Sequence, residues 1–424
     1  MQLIRKVALC FVLTCCLPAI LIGYDLPTAS PEQVGLSAEK LAGTRAALQK
    51  LVDEKRIAGG IVVVARRGKV AQFEACGLMD IKDSKPMKHD TIFRIYSMSK
   101  PVTTVAAMIL YEEGRLKLDD PVSKYIPQFE GLKVITEPRD EQVATVPAER
   151  EMTVRDLMRH TSGLTYGIFG DTNVDKLYRK SVQLAGGRTT LKEMTGNLAK
   201  IPLLYQPGTK WNYSVSTDVL GRVVEIASGQ SLDTFFTKRI FEPLGMEDTA
   251  FYVPAEKIDR FATNYGPNPQ GGLQPIDEPE TTRYAKMPTF LSGGGGLVST
   301  ASDYMRLCLM LGNNGKLGET RLLKGRTVRM MTRNQLPDEA YPIGSGGRAG
   351  VGFGLGFSVR VERSDEAPAS RVDEFGWGGM ASTHFWISPR DEIAVVVLTQ
   401  HIPYSNRAEN AVKPIVYEAI LDGK

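Results

Sequence analysis

The sequence predicts an α+β protein: one antiparallel sheet, flanked by helices and assembled from both chain ends, with a mainly helical lobe inserted between them. Strand signals cluster at the two ends, at 60–65 and 70–77 and again at 356–362, 383–387 and 392–399. The middle, about 121–285, reads instead as helices and loops with little alternation. The α/β part then takes in about 30–120 and 286–424, and no internal repeat divides the chain.

A chain of 424 residues exceeds the commonest single-core size, so one large domain or two lobes is expected. Apolar content of 42% and charged content of 24% are those of an ordinary globular protein. The formal charge of +4 is small, no long basic run occurs, and nucleic acid is not an expected partner. Arg5 and Lys6 precede an uncharged apolar run from Val7 to Gly23, the layout of a secretory signal peptide over 1–23 or of an N-terminal anchor. Pro18 interrupts that run, which is short for a membrane span. The expectation is an exported protein, periplasmic or secreted, or one held to the membrane by its N-terminus alone. Cysteine usage agrees: Cys10, Cys15 and Cys16 lie in the leader, and only Cys76 and Cys308 remain, both in apolar surroundings that suit buried free thiols. His89, His160, His384 and His401 are scattered, so no metal site and no cofactor is expected, and His160 and His384 read as structural hydrogen-bonders.

The elements follow in order. Ser37 caps a helix carrying Leu41, Leu48 and Leu51 on one face. Strands at 60–65 and 70–77 form a hairpin about the turn Arg66-Arg67-Gly68-Lys69. A helix behind Ser97 directs Val102, Val105, Ala106, Ile109 and Leu110 to the core and stops near Gly114, with Pro101 tolerated in its first turn. Short helices cover 153–158 and 218–227, the second closed by Gly229. Pro and Gly make 264–280 and 334–350 irregular loops, and the second is placed to cover a site. After Gly293–Gly296 come a helix from Ser302, three strands and a closing helix from about Arg407 to Leu421.

The chemical signal is Ser97-Met98-Ser99-Lys100. On a helix its hydroxyl and amine lie one turn apart, and a serine needs a base to become a nucleophile. Ser-x-x-Lys alone is weak, since Ser37-Ala38-Glu39-Lys40 matches as well. That copy caps an exposed helix with nothing apolar to desolvate its lysine. Ser97 instead opens a strongly apolar helix, whose N-terminus offers N–H groups to an oxyanion.

Phe93 to Lys100, followed by Glu113 to Pro121, resembles the serine beta-lactamase/penicillin-binding-protein superfamily, class C branch. Thr153 to Leu164 and Gly293 to Asp303 match further stretches of that branch in the correct order. The resemblance implies a beta-lactamase/transpeptidase-like fold over residues 30–424, with Ser97 as nucleophile and Lys100 and Tyr213 as the proton-handling pair. The third motif falls on Trp377-Gly378-Gly379, an edge of the sheet beside the serine; the N–H groups of Ser97 and Met380 are then the oxyanion donors.

Two departures bear on the substrate. Trp377 stands where lactamases carry the lysine that helps bind the drug's carboxylate, and Val215 stands where they carry an asparagine. The Trp-x-Gly variant resembles family VIII carboxylesterases and related acyltransferases, which implies a small-molecule ester or amide substrate. The alternatives are a beta-lactamase, a D-alanyl-D-alanine peptidase, or a catalytically silent homologue that binds cell-wall peptide. Neither a Gly-x-Ser-x-Gly elbow nor a P-loop occurs, and Gly352-Phe353-Gly354-Leu355-Gly356 lacks the strand–turn–helix setting of a dinucleotide site.

Overall fold

The structure is a computed structural model that describes residues 26–139, 144–182, 189–343, 349–365, 367 and 369–422. The leader reading at 1–23 lies outside them, as do residues 344–348 of the 334–350 loop. An eight-stranded sheet organises the chain. Its strands are β1 (Gly59–Arg66), β2 (Lys69–Asp80), β3 (Lys85–Pro86), β4 (Val351–Phe353), β5 (Ser358–Arg360), β6 (Phe375–Gly379), β7 (Thr383–Ser388) and β8 (Ile393–Thr399). They lie in the order β4-β5-β6-β7-β8-β1-β2-β3, and every pairing is antiparallel. The two chain ends meet at β1 and β8, with Ile61 opposite Leu398 and Val63 opposite Val396.

β1 is buried along its whole length, so alternate residues feed two different cores. Ile61, Val63 and Ala65 join the large core under α2 (Ser99–Glu112) and α4 (Ala301–Gly312). Val62 and Val64 join a smaller one beneath α1 (Ala38–Asp53) and α5 (Arg407–Glu418). Truncating any of the larger of these side chains to alanine removes packing worth ~2–5 kcal/mol. Ser37 caps α1, accepting from the Lys40 N–H at 3.3 Å. Cys76 and Cys308 are buried free thiols.

Between the two halves of the sheet lie the short helices Val154–Met158, Asn173–Ser181 and Leu191–Leu198, and the longer α3 (Ser216–Ser228). Thr153, Thr172 and Thr190 open the short ones. Each accepts from the N–H three residues on, where an acidic side chain (Asp156, Asp175, Glu193) accepts the threonine's own N–H in return. α3 ends at Gly229, whose φ of 69° is a left-handed stop. Leu220 of α3 and Ile61 of the sheet belong to one continuous core, so the helical insertion shares its packing with the sheet.

Two expectations are corrected. The C-terminal part supplies five strands to the sheet, because β4 and β6 are too short and glycine-rich to announce themselves. The Trp377 segment is β6; its pairing to β5 stops at Gly376, so Trp377 to Gly379 keep one flank open and edge the sheet there. Residues 264–277 form a hairpin, Asn264–Pro267 with Leu273–Asp277, whose Gly271 and Gly272 take the positive φ of its turn. The hairpin has a structural purpose. Asp277 meets the Arg94 guanidinium at 2.7 Å, and Arg94, fully buried and stacked on Phe261, anchors the segment just before Ser97.

Candidate active site

Ser97 lies in a tight turn, Tyr96–Met98, which runs directly into α2. Tyr96 has a φ of 40°, a left-handed kink that changes the chain's direction just before the serine. Ser97 is half-buried, whereas Lys100, one turn on, is 1% exposed. The Lys100 Nζ donates to Ser97 Oγ at 3.2 Å, to the Tyr166 hydroxyl at 3.0 Å and to the Gly294 carbonyl at 2.6 Å. The three N–H bonds of an ammonium thus meet three oxygens.

Tyr213 comes from the far side, in the irregular segment ahead of α3, and its hydroxyl lies 2.7 Å from Ser97 Oγ. Neighbouring backbone and amide contacts hold it there. Asn212 N–H donates to the His160 carbonyl at 2.9 Å, and its side-chain amide donates to the Leu164 carbonyl at 2.8 Å. His160 is buried, contacts Ser214 Oγ through Nδ1 at 3.3 Å and packs its ring 4.9 Å from that of Tyr213. Burial, and then the Lys100 charge, push the His160 imidazole well below its ordinary pKa, so it stands neutral. His384 is engaged at both nitrogens, by Glu409 at 3.1 Å and the Ser405 carbonyl at 3.0 Å.

β6 closes the third side. The Trp377 indole N–H points at the Tyr213 hydroxyl, 3.4 Å away, and its ring centroid lies 5.4 Å from the tyrosine's. Phe353 packs edge-on against Trp377, beside the described part of the 334–350 loop. A Cβ on Gly379 would fall 2.2 Å from the Ile95 carbonyl oxygen, and one on Gly378 would fall 2.9 Å from the Tyr404 hydroxyl. Gly379 therefore lets β6 press against the segment that leads into the Ser97 turn, and Gly378 makes room for Tyr404. Met380, next in the chain, is exposed.

The structure thus brings Ser97, Lys100, Tyr213 and Trp377 together, with Gly379 packed on Ile95 just ahead of the serine's turn and Gly378 next to it on β6. Ser37 and Lys40 are elsewhere, on α1. Val215 is corrected: it has no exposed surface and belongs to the large core, so it is not a side chain offered to substrate. Sequence reasoning missed Tyr166, which fills the space beside Lys100. Its hydroxyl is pushed well above the ordinary phenol range by burial and by Tyr213 and Asp218. It also missed Phe169, 68% exposed, whose ring lies 5.5 Å from Tyr166 and 5.9 Å from Tyr213 and forms an apolar lip. The aromatic residues shortly after His160–Leu164 were the available signal, but no spacing rule points from them to Lys100. Among the described residues, no three His, Cys, Asp or Glu side chains converge as metal ligands would.

This sheet order with a Ser–Lys–Tyr cluster at its edge defines the beta-lactamase/transpeptidase fold. The chain belongs to the beta-lactamase family, whose profile matches residues 44–413. It is similar to protein Rv1367c of Mycobacterium tuberculosis, 34% identical over 86% of this chain and 90% of that one. It is similar also to esterase EstB of Burkholderia gladioli, 32% identical over 87% of this chain and 93% of the relative. Among solved structures, EstCE1, described as a hydrolase with promiscuous acyltransferase activity, superimposes with a TM-score of 0.76. That match is 30% identical and covers 89% of this chain and 99% of EstCE1.

Proposed function

We propose that this protein is a serine hydrolase that cleaves carboxylic esters through an acyl-enzyme on Ser97, with transfer to an alcohol as a second outcome. The observation that carries the reading is the convergence of the Tyr213 hydroxyl and the Lys100 amine on one serine oxygen, at 2.7 and 3.2 Å. Once the Tyr213–Lys100 pair has given up one proton to solvent, Ser97 Oγ attacks the ester carbonyl while its own proton passes to the vacant position on that pair. The N–H groups of Ser97 and Met380 hold the oxyanion, the pair returns the proton to the leaving alcohol, and water or a second alcohol releases the acyl group. All of this is done by the chain's own side chains and backbone.

The ester preference rests on Trp377. An indole in the lactamase lysine's place carries no charge for a drug's carboxylate, and Trp377 and the exposed Phe169 flank the Tyr213 ring with apolar, aromatic surface. Similarity to EstB and to EstCE1 supports the same reading, the latter for acyl transfer as well. The apolar N-terminal run suggests that the enzyme works outside the cytoplasm, periplasmic or secreted, or tethered by that run.

Parallel incubation with a short-chain nitrophenyl ester, nitrocefin and a D-alanyl peptide tests the substrate class. Ester turnover should exceed the other two by at least about 10²-fold. Fast nitrocefin turnover with no ester cleavage would overturn it.

A further inference from the structure

Asp218 is a buried carboxylate that the proton transfers above do not use. It sits in the first turn of α3, 2% exposed. Its Oδ1 accepts from the Ser292 hydroxyl at 2.5 Å and from the Gly294 N–H at 3.0 Å. Gly294 is the residue whose carbonyl receives the shortest of the three Lys100 contacts, at 2.6 Å. One glycine thus has its N–H on a carboxylate and its C=O on an ammonium. A Cβ there would lie 2.6 Å from Asp218 Oδ2, so the carboxylate packs directly on the glycine's backbone.

We propose that Asp218 is a positioning residue: its buried carboxylate, through Ser292 and Gly294, fixes the glycine-rich loop and balances the Lys100 ammonium held against Ser97. The inference rests on the acyl-enzyme reading and adds a positioning residue behind its proton-handling pair. The groups facing the lysine are accounted for. Tyr166 comes from the loop after the Val154–Met158 helix, as does His160, which is neutral. Tyr213 precedes α3, its ring centroid 4.7 Å from the Lys100 Nζ, and Ser97 precedes α2. Trp377, on β6, contributes an uncharged N–H to Tyr213. Against these neutral groups Asp218 supplies the negative charge. Burial raises its own pKa, while the Lys100 charge, Ser292 and the Gly294 N–H pull it back toward ionisation.

A structural carboxylate and a charge-balancing one differ in what their removal does to pH dependence. Asp218→Asn deletes the negative charge but keeps the shape. Loss of that charge beside the ammonium should move the acidic limb of kcat/KM for a nitrophenyl ester down by about one pH unit. kcat should fall by about 10- to 100-fold as the ammonium loses its charge partner. Ser292→Ala keeps the charge, so its limb should stay close to that of wild type while kcat falls a few-fold.

Near-UV circular dichroism and the thermal midpoint certify the fold, and Asp218→Ser makes the same charge change if the asparagine variant does not fold. An unmoved limb in a folded neutral variant overturns the proposal, as does an equal shift in Ser292→Ala. Ser97→Ala, treated with a fluorophosphonate and weighed intact, reports separately on the acyl-enzyme reading. If that variant still acylates, the underlying function fails whatever Asp218 does.

Discussion

The chain carries the pattern Ser-x-x-Lys twice at a helix start, and the two copies do different things. At α1, Ser37 turns its hydroxyl onto the Lys40 N–H, and the exposed Lys40 amine reaches the Glu418 carbonyl at 3.0 Å. At α2, the Ser97 hydroxyl is left for Tyr213 and Lys100, and the lysine is sealed from water with three oxygens around its amine. The spacing is identical. What differs is whether the serine oxygen is spent on its own helix and whether other segments surround the lysine. A short motif thus fixes which atoms can meet, and the packing around it fixes what the meeting does.

The sharpest way to break this contrast is at the serines themselves. Ser97→Ala should lower ester turnover by ~10⁴-fold or more and abolish acylation seen by intact mass. Next comes Tyr213→Phe, which removes the oxygen at 2.7 Å and leaves the ring. It should cost about 10²- to 10³-fold in kcat with little change in thermal midpoint. Equal activity in this variant would shift the base role to Lys100 alone. Trp377→Phe deletes one long hydrogen bond to Tyr213 and keeps an aromatic wall, so steady-state kinetics should show a fall of about tenfold or less.

The arm that carries Tyr213 has its own weak point. Asp156 is buried and receives bonds from Arg150, Arg159, Thr153 and Thr161; the Thr161 carbonyl in turn accepts the Gly208 N–H, a few residues before Tyr213. Burial pushes the Asp156 carboxyl up, but the Arg150 guanidinium and these hydroxyl and N–H donors outweigh it and hold the pKa down to about 2. A depressed carboxylate stabilises the fold above its unfolded pKa and loses that contribution as pH falls through the folded one. Thermal midpoints should therefore drop between about pH 4 and pH 2, by a contribution of roughly 2 kcal/mol. Asp156→Asn should be less stable at pH 7 and flatter across that window. A parallel pH response in the variant would assign the acid sensitivity elsewhere.

The smallest effect is expected at the other motif. Ser37→Ala removes a helix cap, worth about 1 kcal/mol, and should leave esterase activity unchanged. Any loss of acylation there would mean that the two motifs are not independent.

Much of this was legible in the residues. The Ser37 cap, the β1–β2 hairpin, the apolar helix behind Ser97 and the Gly229 stop are local matters of capping, periodicity and backbone freedom, and the chain writes them in neighbouring positions. The same holds for the order of the family motifs, from which Ser97, Lys100, Tyr213 and Trp377 could be named. β4 was not legible, and β6 only through the family motif at 377–379, because three to five residues with glycine among them carry too little alternation to count. Val215 looked like a contact residue because it stands where lactamases carry an asparagine, yet the start of α3 turns it wholly inward.

The sequence by itself determined which groups could react and which local elements would carry them, since these depend on side-chain chemistry and on neighbours within a turn or a strand. The tertiary structure decided which of the two serines is surrounded, that Tyr166 stands against Lys100 and that Asp218 grips the loop holding it. Those outcomes depend on contacts between residues 66 to 194 positions apart, and no local rule of spacing reaches so far.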